Sequence, residues 1–382
     1  MPMDLTAVIG GIALVDHHVH GALRETVGRP EFEGMLTESD RPVPPWMTQM
    51  DSQLGFALRR HCAPLLGLEP SASAGDYWAA RSARDPEELA RLFLRASGTG
   101  HWLVETGYKG DMLLGPAGMA AAGGAEAREI VRLESLLEEV APGATAAGLR
   151  DAFRAALRAR CAEPGVAGLK SVVAYRHGFG FDPAPPSHAE VAGAAGRWLR
   201  RIAAGAAPRV TAPALLRMAL WEAVETGLPL QLHAGYGDPD IELHRCDPLL
   251  LTGWLRAVEP TGTAVLLLHC YPYHRGAGYL AQAFPHVYFD AGLAINHTGA
   301  RSAAVVAETL ELAPFAKILY SSDAWGPPEL HYLGALLWRR GMTRALTAWV
   351  EEGEWTAADA ARVATMIGRD NAARVYGLDP AG

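Results

Sequence analysis

The chain has 382 residues, 49% hydrophobic and 20% charged, enough to bury the core of one barrel-sized α/β domain or of two ordinary ones. Its formal charge of -8, with no run of Lys and Arg, leaves no electrostatic footprint for nucleic acid or an anionic membrane, so a small molecule is the expected partner. Cys62, Cys161, Cys246 and Cys270 stand far apart without a CxxC pair; this excludes a disulfide framework and a structural zinc finger and fits reduced thiols in a cytoplasm.

The N-terminus, MPMDLTAVIGGIALVD, carries Asp4 where a signal peptide would have a basic region, and the apolar stretch 261–270 is too short to span a bilayer. Eight β-prone runs follow in chain order: 12–16, 102–107, 130–134, 169–176, 228–237, 264–272, 286–293 and 317–324. The third competes with a helix over 125–140. Helical spacing lies between them, as in 213–227, 247–259 and 276–284, several of these closed by Gly or Pro. Eight alternating β/α units predict a closed (β/α)8 TIM barrel, a single domain over 1–382. An open doubly wound sheet is the alternative, although no GxGxxG follows an early strand. The long interval 21–100 predicts an inserted helical subdomain or lid after strand one. The Ala/Gly-rich stretch 115–125 reads as a flexible loop, and 177–212 as a turn-rich segment leading into an Ala-rich helix.

The first run ends in LVDHHVHGAL, residues 14–23. With 14 histidines in the chain, an HxH pair arises by chance about half the time, so the motif alone decides little. Its position adds weight: on a strand, i and i+2 share a face, so His18 and His20 project together while His17 points toward the surrounding helices. Other runs end alike, in His233, His269 and Asp323, and Lys170 sits within the fourth. In a barrel these ends meet at one rim, and imidazoles with a carboxylate suit a divalent metal such as Zn²⁺.

The order HxH, Lys, His, His, Asp resembles the metal-dependent amidohydrolase superfamily of (β/α)8 barrels, as does the closing MIGRDNAARVYGL. LKSVVAYR, LQLHAGYGD, LLLHCYPYHRGAGYLA and ILYSSDAWGPPELHYLGALLWRR are similar to the amidohydrolase half of nodulin/glutamine-synthetase-like fusion proteins; no glutamine-synthetase half follows in this sequence. The resemblance implies one or two divalent ions, Zn first, with Mn or Fe as alternatives. It makes His18, His20 and Asp323 ligands of the more buried ion and His233 and His269 ligands of a second, with Lys170 bridging as a carbamate. An uncarbamylated Lys170 would instead orient substrate at a single ion. The implied reaction is hydrolysis of an amide-type C–N bond by metal-bound hydroxide. Asp323 would transfer the proton, with His269 or His233 sharing the work and Lys170 assisting.

Arg176 is a candidate clamp for a substrate carboxylate, unless it pairs with a structural acid, and Tyr175, Tyr236, His274 and Glu329 are further pocket candidates. Such a set suits a γ-glutamyl or N-acyl amide. Glu105 and Glu134, at the ends of the second and third runs, are either rim salt bridges or site residues. The alternatives are a metal-dependent non-oxidative decarboxylase, more distantly a sugar-acid isomerase or lyase, and a catalytically silent metabolite-binding barrel. A homodimer is the default assembly.

Overall fold

The structure, a computed structural model, describes residues 3–378. Contacts divide the chain into two compact units, one of residues up to Arg128 together with those from Asp290 on, the other Glu129–Phe289.

In the first unit β1, Leu14–Val19, pairs in parallel with β2, Thr99–Glu105, from Leu14 opposite Thr99 to Val19 opposite Val104. Every residue of β1 is buried, as expected of a parallel strand covered on both faces. The run 317–324 is not a regular strand, which corrects the predicted count: seven strands form among the described residues. The run is extended and lies along β1, with Asp323 N donating to His18 O (3.2 Å), His20 N to Ala324 O (2.9 Å) and Gly326 N to Gly21 O (3.0 Å). Its ladder is broken because Asp323 is left-handed (φ 49°) and Ser322 N donates to Asp16 Oδ1 (2.9 Å). The last run thus lies beside the first, whereas a doubly wound 3-2-1-4-5-6 sheet keeps its last strand at a far edge.

In the second unit β3 (Glu126–Arg132, beginning just before the boundary), β4 (Val166–Ser171), β5 (Leu230–Ala234), β6 (Val265–His269) and β7 (Val287–Phe289) pair in sequential order, all parallel. That order contains no reversal of the kind that creates a doubly wound switch point.

Both readings of 125–140 are partly right: β3 ends at Arg132 and a helix, Leu133–Val140, begins at once, with Leu133, Leu136 and Leu137 buried along one face. The stretch 115–125 is a helix, Pro116–Gly123, and not a loop. Pro116 sits in its first turn, alanines fill it, and left-handed Gly124 (φ 63°) ends it. The regular elements between β1 and β2 are helices, with Gln53–His61, Ala74–Ser82 and Pro86–Ala96 opened by the side-chain caps Ser52, Ser73 and Asp85. The expected Ala-rich helix is His188–Ala203, started by a Ser187/Glu190 capping box. No helix among the described residues is long and apolar enough to cross a membrane.

The long helix Pro328–Glu351 buries His331, whose Nε2 donates to His20 O at 2.9 Å and whose ring meets Trp102 edge-on at 5.8 Å. Burial lowers this imidazole's pKa from 6.5 to about 4, so the folded state keeps it neutral where the unfolded chain takes up a proton. The folded pKa is depressed, so its contribution is complete above about pH 6.5 and is lost on acidification toward about pH 4. We expect the unfolding free energy to fall there by about 1.4 kcal/mol per pH unit for this one proton. Urea titrations across that range should show a shallower slope for His331→Asn. An unchanged slope would remove His331 from the account.

Candidate metal centre

The alternation of β1 turns Asp16 and His18 to one face and His17 to the other. His17 is accordingly taken up elsewhere: Nε2 lies 2.9 Å from Asp290 Oδ2 and Nδ1 3.1 Å from the Tyr376 hydroxyl, on the closing helix Asn371–Tyr376. His18 and His20 face each other edge to face, with ring centroids 5.3 Å apart. Asp323 Oδ1 lies 3.0 Å from His18 Nε2 and 3.8 Å from His20 Nε2. Donors on a tetrahedral Zn²⁺ at the usual bond lengths stand about 3.3 Å apart, close to the separation of Asp323 Oδ1 from each of the two histidine nitrogens.

The other nitrogen of His20 is held: Nδ1 lies 3.2 Å from Glu105 O and 3.4 Å from Glu105 Oε2. An Nδ1–H donated there leaves the Nε2 lone pair on the side of Asp323, where it can ligate an ion. Glu105, one of the two rim acids of the sequence, therefore positions a histidine. Asp16 is wholly buried, and that burial raises its pKa to about 7 against the hydrogen bonds from Ser322 that lower it. Its bond to Ser322 N ties the Asp323 run to β1.

In the second unit the His233 and His269 rings are 4.7 Å apart, and Tyr175 stands 4.4 Å from His233. Lys170, 2% exposed, lies opposite Gln231 of β5. His269 is left-handed (φ 66°), like Asp323 in the first unit. Strained φ values at residues other than glycine cluster at functional positions.

Gly235, also left-handed (φ 78°), lets the backbone after His233 pass Tyr271, since a Cβ there would lie 2.3 Å from the Tyr271 carbonyl oxygen. Gly235→Ala should therefore lower stability by about 1–3 kcal/mol in urea denaturation and weaken metal retention. A variant as stable as the parent would show that this backbone can move aside.

Two predicted substrate residues are reassigned. The fourth run ends at Ser171 and turns into a short helix, Val173–Arg176, which carries Arg176 to Glu138, Nη1 to Oε1 2.9 Å. Glu329 is fully buried and pairs with Arg81 Nε at 2.6 Å. Each of these charges thus has a buried or half-buried partner. Glu134, on its helix and not at a strand end, accepts from Ser171 Oγ (2.6 Å) and Val172 N (3.0 Å). Tyr236 packs edge-on against Tyr271 at 6.0 Å, and buried His274 stacks on Tyr271 at 5.7 Å with an interplanar angle of 4°.

Sequence reasoning missed Tyr108 and Lys109, in the turn GYKGD after β2. The Tyr108 ring is 5.4 Å from that of His20 and 5.4 Å from that of Trp325. Lys109 (φ 48°) holds its ammonium 4.2 Å over Trp325 and 5.2 Å over Tyr108. An aromatic followed by Lys at the end of a β/α strand was the available signal.

The amidohydrolase family model matches residues 135–378. The protein fluG of Emericella nidulans is 32% identical over 243 residues, 59% of this chain and 27% of that protein, so the match spans about a quarter of the relative's length. Among solved structures, an inferred metal-dependent hydrolase from Lactobacillus casei ATCC 334 has a TM-score of 0.86 at 27% identity, covering 99% of this chain and 98% of its own. A uronate isomerase of Bacillus halodurans has a TM-score of 0.63 at 14% identity, covering 98% of this chain and 96% of its own, a likeness of fold alone.

Proposed function

The chain belongs to the amidohydrolase family and has a TIM-barrel-like α/β fold, and from that premise we propose that it is a metal-dependent hydrolase cleaving an amide-type C–N bond in a small carboxylated substrate, a γ-glutamyl or N-acyl amide. The observation that carries the proposal is the pairing of His18 with a left-handed Asp323 at 3.0 Å, beside His20. We assign His18, His20 and Asp323, with His233, His269 and Lys170, to one divalent centre of one or two ions, zinc first. Manganese and iron are the alternatives, and Lys170 would be the carbamate bridge if two ions bind. The chain then works as a single domain with 21–100 as a helical insertion, in a cytoplasm that keeps its four free cysteines reduced.

When bound, the metal polarises the scissile carbonyl and lowers the pKa of water. The Asp323 carboxylate takes the proton of the attacking water and returns it to the leaving nitrogen, so water adds across the C–N bond and an acid and an amine depart. His20, held by Glu105, keeps its Nε2 toward Asp323 throughout. His269 and His233 bind and orient the carbonyl side. With Arg176 committed to Glu138, the substrate carboxylate falls to Lys109, an ammonium with aromatic neighbours and no carboxylate partner among the described residues.

Metal-loaded protein incubated with γ-glutamyl amides, N-acyl amino acids and aromatic carboxylates should yield products heavier by one water in sum, read by mass spectrometry. Loss of CO₂ without water addition would make it a decarboxylase. No turnover of any class with a full complement of metal would favour a silent binding barrel. On the substrate so identified, Lys109→Met should raise KM about tenfold or more with little change in kcat. A fall in kcat alone would displace Lys109 from carboxylate binding.

A further inference from the structure

Within the first unit, away from the metal residues, a cleft of about 570 Å³ opens between the helices Gln53–His61 and Pro328–Glu351, floored by the turn at Gly299. The sequence already builds it: Leu337, Arg340 and Arg344 fall at i, i+3 and i+7 on one helix, and Gln53, Phe56, Ala57 and Arg60 at i, i+3, i+4 and i+7 on the other. Its lining includes Arg59, Arg60, His61, Arg340 and Arg344 and contains no acidic residue.

In a chain of net charge -8, that is a local reversal of sign. Arg60, Arg340 and Arg344 form no ion pair among the described residues, and Arg59 reaches Asp51 only at 4.0 Å, leaving its buried Nε without a hydrogen-bond partner. Burial and the neighbouring Arg340 and Arg60 push His61 down to about 4, so these cations crowd the imidazole without a counter-charge. Guanidinium groups converging on a concavity lower their mutual repulsion by taking a shared anion, and their planar forks match phosphate oxygens. The volume lies in the range of small-molecule sites, and exposed Phe56 with buried Leu337 gives it an apolar wall.

We propose that this cleft binds a small phosphorylated metabolite, with Arg60, Arg340 and Arg344 on the phosphate and Phe56 and Leu337 against the apolar part. The site is independent of the amide-hydrolase reading and stands or falls separately from it.

Titration calorimetry of the metal-loaded protein at constant ionic strength, with inorganic phosphate, pyrophosphate and citrate as probes, tests the proposal. Phosphate and pyrophosphate should bind once per chain and more tightly than citrate. The double variant R340A/R344A should weaken them about tenfold or more. R340K should weaken them less, because it keeps the charge and loses the fork. Pyrophosphate should also raise the His61 titration midpoint in the parent and not in the double variant, a readout that a merely structural role would not move. His18→Ala should leave the binding intact; loss there would place the anion at the metal centre and overturn the proposal. Citrate binding as tightly as pyrophosphate would overturn the phosphate assignment. Absence of binding, with the parent dimeric and R340A/R344A monomeric by sedimentation, would make the occupant a second copy of the chain. Absence of binding by a monomer would leave no ligand site.

Discussion

Asp323→Asn should lower kcat by about three orders of magnitude while the protein stays folded. Asparagine is close to isosteric and, with aspartate, among the residues that tolerate the left-handed region best, so the φ of 49° at this position is kept without new strain. The backbone bond from residue 323 N to His18 O, 3.2 Å, is also untouched. What disappears is the charge and the basicity of Oδ1, the atom that lies 3.0 Å from His18 Nε2 and 3.8 Å from His20 Nε2. A neutral amide cannot take a proton from water, and removing a positioned general base typically costs 10²–10⁴-fold, hence the expected ~10³. The complementary variant separates binding from chemistry. His18→Ala removes a nitrogen donor and should drop bound divalent metal to near none, whereas Asp323→Asn should keep at least part of it. Metal analysis, kcat on the identified amide and a thermal melt on the same samples decide the matter. An Asp323→Asn protein turning over within about tenfold of the parent would take proton transfer away from this residue.

The His18–His20 pair was legible because chemistry and periodicity coincide there. HxH on a strand can only put His18 and His20 together and His17 apart, and the structure shows both outcomes: the 5.3 Å pair and the His17–Asp290 bond. The strands themselves were visible as apolar runs, though displaced by one to four residues at their starts, since burial on both faces gives no alternation to mark an end. The eighth run was misread as a regular strand because ILYSSDA has strand composition, while its departure depends on Asp16, some three hundred residues earlier, claiming Ser322 N. The partners of Arg176 and Glu329 were hidden for a related reason. A charge in a loop-like stretch looks available in sequence, and only folding reveals that Glu138 and Arg81 already hold those two. The basic cleft left a trace in helical spacing, but two helices had to be brought face to face before their arginines met.

The buried pair Arg81–Glu329 should show the largest effect on stability, with Arg81→Ala destabilising the protein by about 3–5 kcal/mol. Glu329 is wholly enclosed, and the Arg81 side chain is 5% exposed, with N to O 2.6 Å. Its guanidinium also stacks 4.4 Å over Phe32. Burial raises the pKa of Cys62 and Tyr77, and the neighbouring carboxylate adds to the rise. Removing the arginine leaves Oε1 of that carboxylate with only the Tyr77 hydroxyl, 3.4 Å away, as a hydrogen-bond partner among the described residues. The loss is then a large share of the 5–15 kcal/mol typical of a whole domain. Glu329→Gln should cost less, because the orphaned guanidinium retains its aromatic face. Replacing both residues by apolar ones of similar size, Arg81→Met with Glu329→Leu, should recover much of the loss, since neither charge is then left buried alone. Urea denaturation of the four proteins gives the coupling directly, and additive effects within about 0.5 kcal/mol would mean that the pair contributes no more than its separate packing. The pair also bears on the metal residues. It anchors the first turn of the helix that carries His331, and His331 Nε2 holds the His20 carbonyl at 2.9 Å. Arg81→Ala should therefore weaken metal retention at temperatures where the fold is still intact, and the double apolar variant should restore it.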